Sequence, residues 1–305
     1  TLQILNDQND KDSGKIKAYT KTGSDKSLAK VLEKAADLLS DQANYTHVKL
    51  LILSDTITDG KFQNIIDFFM RSTYFRENFY VISSMDTEPE KILEKNTDEN
   101  PVASTAIINL LESQDYSSNS GVLKTFDQIV VETLAFGKDT CYSNITLDDE
   151  QLRVDGLSIF DKYEYKDTIS NEFATIYNIL TNDFYRPIYS KTYNDLYFSI
   201  AITEGKVKTS LDTKTIKLTG DLMGKIMDNE PNFIIRDLDV LKDLNSDFKK
   251  LINEKFTDFI GVLQENKSDI LFFGESYYQK TREKSENFWI HLDIDSDVGF
   301  YINKN

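Results

Sequence analysis

Residues 46–93 alternate short apolar runs with amphipathic stretches, and this alternation constrains the fold more than any other feature. Val48, Leu50, Leu51, Ile52 and Leu53 form a nearly continuous apolar run, which reads as a buried strand. Phe62, Ile65, Ile66, Phe69 and Met70 then recur at three- and four-residue spacing, which predicts an amphipathic helix within 58–77. Asp59 is expected near its N-cap, with Gly60 easing the turn. Phe79–Asp86 reads as a second strand. Glu88–Asn96 reads as a short helix with Pro89 in its first turn, where a missing N–H costs nothing.

Upstream, Leu2, Ile4 and Leu5 mark a strand and 16–23 a second, joined by the polar turn Asn9–Lys15, as in a hairpin. Ser24 or Asp25 is expected to cap a helix whose apolar face is Leu28, Val31, Leu32, Ala35, Leu38 and Leu39. Pro101–Ser118 reads as a further helix closed by Gly121. The pattern from 122 to 186 gives a helix or strand at Phe126–Leu134, strands at Cys141–Leu147 and Gln151–Phe160, and a helix at Ser170–Leu180. Between Asp195 and Asp228 three strands are expected, with Gly205 at a tight turn. The strongest helix lies at 237–264, where Leu241, Leu244, Phe248, Leu251, Ile252, Phe256, Phe259, Ile260 and Leu263 share one face over about seven turns. The expected organisation is three small α/β (α+β) domains at 1–121, 122–186 and 187–305, each a mainly antiparallel or mixed sheet flanked by helices.

The 305 residues carry 35 basic against 51 acidic side chains, a formal charge of −16. No stripe of Lys and Arg stands out, so nucleic acid is not an expected partner, and charge alone does not favour an anionic bilayer. The single cysteine, Cys141, excludes an intramolecular disulfide and a thiolate metal cluster. No apolar run reaches the length of a membrane span. The first residue is Thr1 rather than Met, which suggests a processed product whose signal peptide or lipid-attachment site lies upstream.

Several stretches together resemble the Ger(x)C family, the C subunits of bacterial spore germinant receptors. In the first, His47, Lys49, Arg71, Arg76, Ile92 and Leu93 match the order of a strand, a helix, an R-x-x-x-x-R segment and a following helix. In the second, Leu152, Gly156, Leu157, Ile159, Phe160, Lys162, Asn171 and Glu172 fit, with Ser158 where the family has Ala and Tyr163 where an apolar residue is usual. In the third, Asp269, Ile270, Leu271, Phe273, Gly274, Arg282 and Trp289 fit. The resemblance implies a non-enzymatic, cofactor-free lipoprotein on the outer face of the inner spore membrane. It would act with an A subunit and a B subunit in nutrient-triggered germination. It also singles out Arg71, Arg76, Gly156, Phe160, Glu172, Gly274 and Trp289 as structural or interface positions.

The residues themselves offer little reaction chemistry. Asp293, Asp295 and Asp297 fall at positions 1, 3 and 5 of a calcium loop, but Val298 and Lys304 stand where Gly and Glu belong, so a strand with solvated aspartates is expected. His47 and His291 fall in different expected domains. No G-x-S-x-G turn, Walker loop or dinucleotide fingerprint is present. Asp148–Asp149 and Asp237–Asp239 read as turn and cap residues, a hydrolase built on them being the weakest alternative. Arg71 and Arg76 are open to two roles, ion pairing within the first domain or a subunit contact. Trp289 is expected in a core or junction and Cys141 in a buried strand. The main alternative function is a free-standing extracytoplasmic solute-binding or adhesion lipoprotein, with a cleft lined by Tyr189, Tyr193, Tyr277 and Tyr278.

Overall fold

The computed structural model describes residues 1–6, 17–39, 43–54, 56–57, 61–95, 102–113, 120–193, 196–212, 214–229, 238–285 and 287–303. The chain forms two compact units. One comprises Thr1–Ser113, Val122–Leu134 and Thr140–Ile169, and the other Gln114–Gly121, Ala135–Asp139 and Ser170–Asn305. The boundaries expected at 121 and 186 do not coincide with these units. Most of 122–169 shares a sheet with the first segment, and 170–186 falls in the second unit.

The first unit begins with β1 (Leu2–Asn6) and β2 (Lys17–Lys21), an antiparallel pair whose connecting turn lies outside the described residues. Then come α1 (Leu28–Ala36), β3 (Leu50–Ser54), α2 (Lys61–Arg71), β4 (Tyr80–Ser84), α3 (Pro89–Glu94) and α4 (Ala103–Glu112). The unit closes with β5 (Lys124–Thr125), α5 (Phe126–Leu134), β6 (Thr140–Asp148), β7 (Gln151–Asp161) and β8 (Glu164–Ile169). The main sheet has the order β3-β4-β6-β7-β8, with β5 pairing the start of β4. Both faces are buried. Leu53, Phe62, Ile66, Phe79, Val81, Phe126 and Phe160 form one core, and Ile82, Ile92, Ile107, Leu111 and Ile145 another. Neighbours Val81 and Ile82 point to opposite faces, so a strand packed on both sides reads as an unbroken apolar run.

Two local expectations differ from the structure, and one left open is decided. Ser27, not Ser24 or Asp25, occupies the N-cap of α1; Asp25 instead accepts from the Ser27 N–H at 3.3 Å and from Lys34 Nζ at 2.8 Å. The helix α2 stops at Arg71, because the following bend carries Phe75 back onto Phe68 and Phe69 at 6.0 and 4.8 Å between ring centres. Phe126–Leu134, open between helix and strand, is a helix. The positions Asp59 and Gly60 lie outside the described residues.

The second unit contains α6 (Asn171–Thr181), β9 (Ile188–Tyr193), β10 (Leu196–Leu211), β11 (Thr215–Asn229), α7 (Leu238–Asn266), α8 (Phe273–Thr281) and β12 (Asp293–Asn303). Its sheet runs β12-β11-β10-β9, with β12 parallel to β11 and the other pairs antiparallel. The expected turn at Gly205 is a correction: β10 continues through it for 16 residues. Gly205 and Gly220 have φ of +143° and +138°, and each lies where the partner strand comes too close for a side chain. A Cβ on Gly220 would sit 2.1 Å from the Lys206 carbonyl oxygen, and one on Gly205 would sit 2.3 Å from that of Asp221. Glycine here marks close backbone approach, which sequence reading confused with a turn. The strand β11 likewise continues to Asn229, well past Leu218.

At 29 residues, α7 is about 43 Å long. It buries Leu241, Leu244, Phe248, Ile252, Phe256, Phe259, Ile260 and Leu263. Phe248 stacks on Phe300 of β12 at 5.8 Å. Polar side chains of α7 also reach β12. Asn253 accepts from the Val298 N–H at 2.9 Å through Oδ1 and donates to the Val298 carbonyl at 2.9 Å through Nδ2, while Asn245 accepts from the Ile302 N–H at 2.7 Å. Asn253→Ala removes the partners of two strand backbone groups and of the Ser296 hydroxyl without altering the apolar face, and should destabilise this unit by about 1–3 kcal/mol in chemical denaturation. Gly220→Ala should do so more strongly, because its Cβ meets backbone.

Candidate functional site

Arg71 and Arg76 lie at one end of the first unit, where α2 ends and β3 and β4 begin. Phe75, between them, is in ring contact with Tyr45 at 5.3 Å and with Phe69 at 4.8 Å, and Phe69 continues to Phe79 and Phe126 at 5.1 and 5.5 Å. The bend is held further by the Ser72 N–H on the Phe69 carbonyl at 3.2 Å and the Tyr74 N–H on Ser72 Oγ at 3.3 Å. The arginines do not hold this end together. Arg71 approaches Asp67 only at 3.9 Å with its side chain 83% exposed, and Arg76 is exposed with no ion pair among the described residues. Such an i,i+4 surface pair contributes about 0.3–0.5 kcal/mol.

Gly156 and Phe160 lie on β7. Gly156 has φ +76° where β7 bulges against β6. Phe160 is fully buried and stacks on Tyr142 at 5.0 Å. Nearby, β4 meets β6 through a single register pair, Ser83 with Asn144. Hydroxyl and amide groups reinforce it. Ser83 Oγ donates to Ser158 Oγ at 2.8 Å and to the Ser143 carbonyl at 3.2 Å, and Asn144 Oδ1 accepts from the Met85 N–H at 3.0 Å. Ser143 Oγ accepts from the Val122 N–H at 2.7 Å. The departure from the family pattern at Ser158 thus supplies one of the buried hydroxyls of this joint.

Glu172, Gly274 and Trp289 belong to the second unit. Glu172, in the first turn of α6, pairs with Lys255 of α7. Gly274 sits in a buried crossing of backbones. A Cβ on Gly137 would lie 2.5 Å from Gly274 C, and one on Gly274 would lie 2.8 Å from Gly137 Cα. Asp269 secures the crossing: its carboxylate accepts from the Phe273 N–H at 2.7 Å and the Gly274 N–H at 2.6 Å, at the start of α8. Asp139 in turn accepts from the Asp269 N–H at 2.8 Å, and Lys138 pairs with Glu275 at 2.7 Å. The matched Asp269 and Gly274 are therefore two halves of one helix-capping device. Phe273 carries the packing on to the fully buried Trp289, 5.2 Å between rings. Sequence reading missed Gly137 and Asp139, whose only signal was a Gly-Lys-Asp run in a presumed loop.

Groups suited to reaction chemistry are not assembled. Asp148 pairs with Arg153 at 2.8 Å beside a hairpin turn in which Asp149 and Glu150 have positive φ. Asp237 lies outside the described residues. His47 and His291 are both exposed, in separate units. The calcium-loop stretch is strand β12 through Asn303, and among the described residues no group of three or more His, Cys, Asp and Glu could hold a metal ion. Burial pushes the hydroxyls of Tyr142 and Tyr189 well above the usual phenol range, so neither exchanges a proton near neutral pH. Of the four tyrosines expected to line a cleft, Tyr193 bonds Asp243 at 2.6 Å, Tyr277 packs on Phe288 at 4.1 Å, and Tyr278 packs on Phe136 at 5.6 Å. Tyr189 lies under Lys255 at 5.8 Å. Tyr193, Tyr277 and Tyr278 are thus each engaged with a partner, while the buried Tyr189 hydroxyl has no hydrogen-bond partner among the described residues.

Two family models match the chain: the spore germination protein N-terminal domain over residues 1–146, and the spore germination B3/GerAC-like C-terminal domain over residues 155–304. The fold resembles the crystal structure of the GerBC protein with a TM-score of 0.63, at 14% identity, covering 87% of this chain and 82% of that one. No curated protein sequence matches the chain. Among the described residues no helix is long and apolar enough to cross a membrane.

The capping device makes a specific stability prediction. Asp269→Asn keeps the side-chain shape but replaces one acceptor of a buried N–H with a donor. It should destabilise the second unit by about 2 kcal/mol. Leu271→Ala, two residues away at a half-buried site, should cost less. Thermal unfolding followed through Trp289 fluorescence compares them.

Proposed function

Since this chain belongs to the Ger(x)C family of spore germination proteins, we propose that it is the C subunit of a germinant receptor, working with membrane-embedded A and B subunits in nutrient-triggered germination. It is not an enzyme in this reading. It is held by an N-terminal lipid on the outer face of the inner spore membrane. The observation that carries the proposal is the family match, whose two domains run in order over residues 1–146 and 155–304. The buried polar groups are consistent with it. Ser83, Ser143, Ser158, Asp139 and Asp269 hold backbone and one another rather than facing solvent, which suits a scaffold better than a catalyst. Gly156, Phe160, Gly274 and Trp289 act in this reading as structural positions, Glu172 as a helix-pairing one, and Arg71 and Arg76 as interface positions.

Co-purification tests this. The tagged full-length protein, captured from gently solubilised spore membranes, should bring with it an integral A-type and B-type pair identified by mass spectrometry. It should also carry a lipid at its N-terminus. Recovery of the lipid-bearing protein alone, under conditions that keep other membrane complexes intact, would replace the receptor subunit with a free-standing lipoprotein.

A further inference from the structure

We draw no further inference here: the strongest candidate, the face of the second unit's sheet on which Ile188, Tyr197, Met223, Met227 and Tyr301 stand exposed across four strands, carries nothing because no feature of the structure shows what covers it.

Discussion

The first unit depends on a joint that backbone pairing alone barely makes. Its parallel half, β3 and β4, and its antiparallel half, β6 to β8, share one register pair, Ser83 with Asn144. The two-residue β5 occupies the rest of that edge of β4. A ladder so short leaves buried N–H and C=O groups needing partners, and buried polar groups without them are costly. Ser83, Ser143, Asn144 and Ser158 supply the bonds that a longer ladder would have supplied. The two hydrophobic cores on either face can then close over a continuous sheet.

In the second unit a different solution serves the same end. A single helix spans the sheet, and its apolar face fills the core. The chain around α8 is fixed by carboxylates rather than by apolar bulk. Asp269 and Asp139 spend their acceptors on backbone N–H groups, which permits Gly137 and Gly274 to pass closer than any side chain allows. Apolar packing fills both units. In each, short-range polar contacts set the register of the pieces.

Sequence periodicity made much of this legible. The helices α2 and α7 and the strands β3, β4, β6 and β7 lie near where apolar spacing placed them, because each buries a regular face. What escaped were features with no period. Gly205 signalled a turn, since glycine serves tight turns and close strand approaches alike, and only the position of Gly220 across the ladder distinguishes them. The capping device escaped because Asp139 and Asp269 are 130 residues apart in sequence. The exposure of Arg71 and Arg76 was likewise undetermined, because a sequence shows that a guanidinium is present and not whether a carboxylate faces it. Grouping 122–169 with the first segment turned on pairing between β4 and β6, a contact no local pattern encodes.

The contact between α7 and β12 has a consequence for how this protein stays separate from others. A strand at the border of a sheet offers unpaired N–H and C=O groups that template addition of another strand, and with it aggregation. Along β12 such groups at Val298 and Ile302 are taken by Asn253 and Asn245. Four strand residues span about 13 Å, and eight helix residues about 12 Å, so the two asparagines meet the strand in step. The helix thus acts as a side-chain selvedge, closing at those points the parallel border of the sheet.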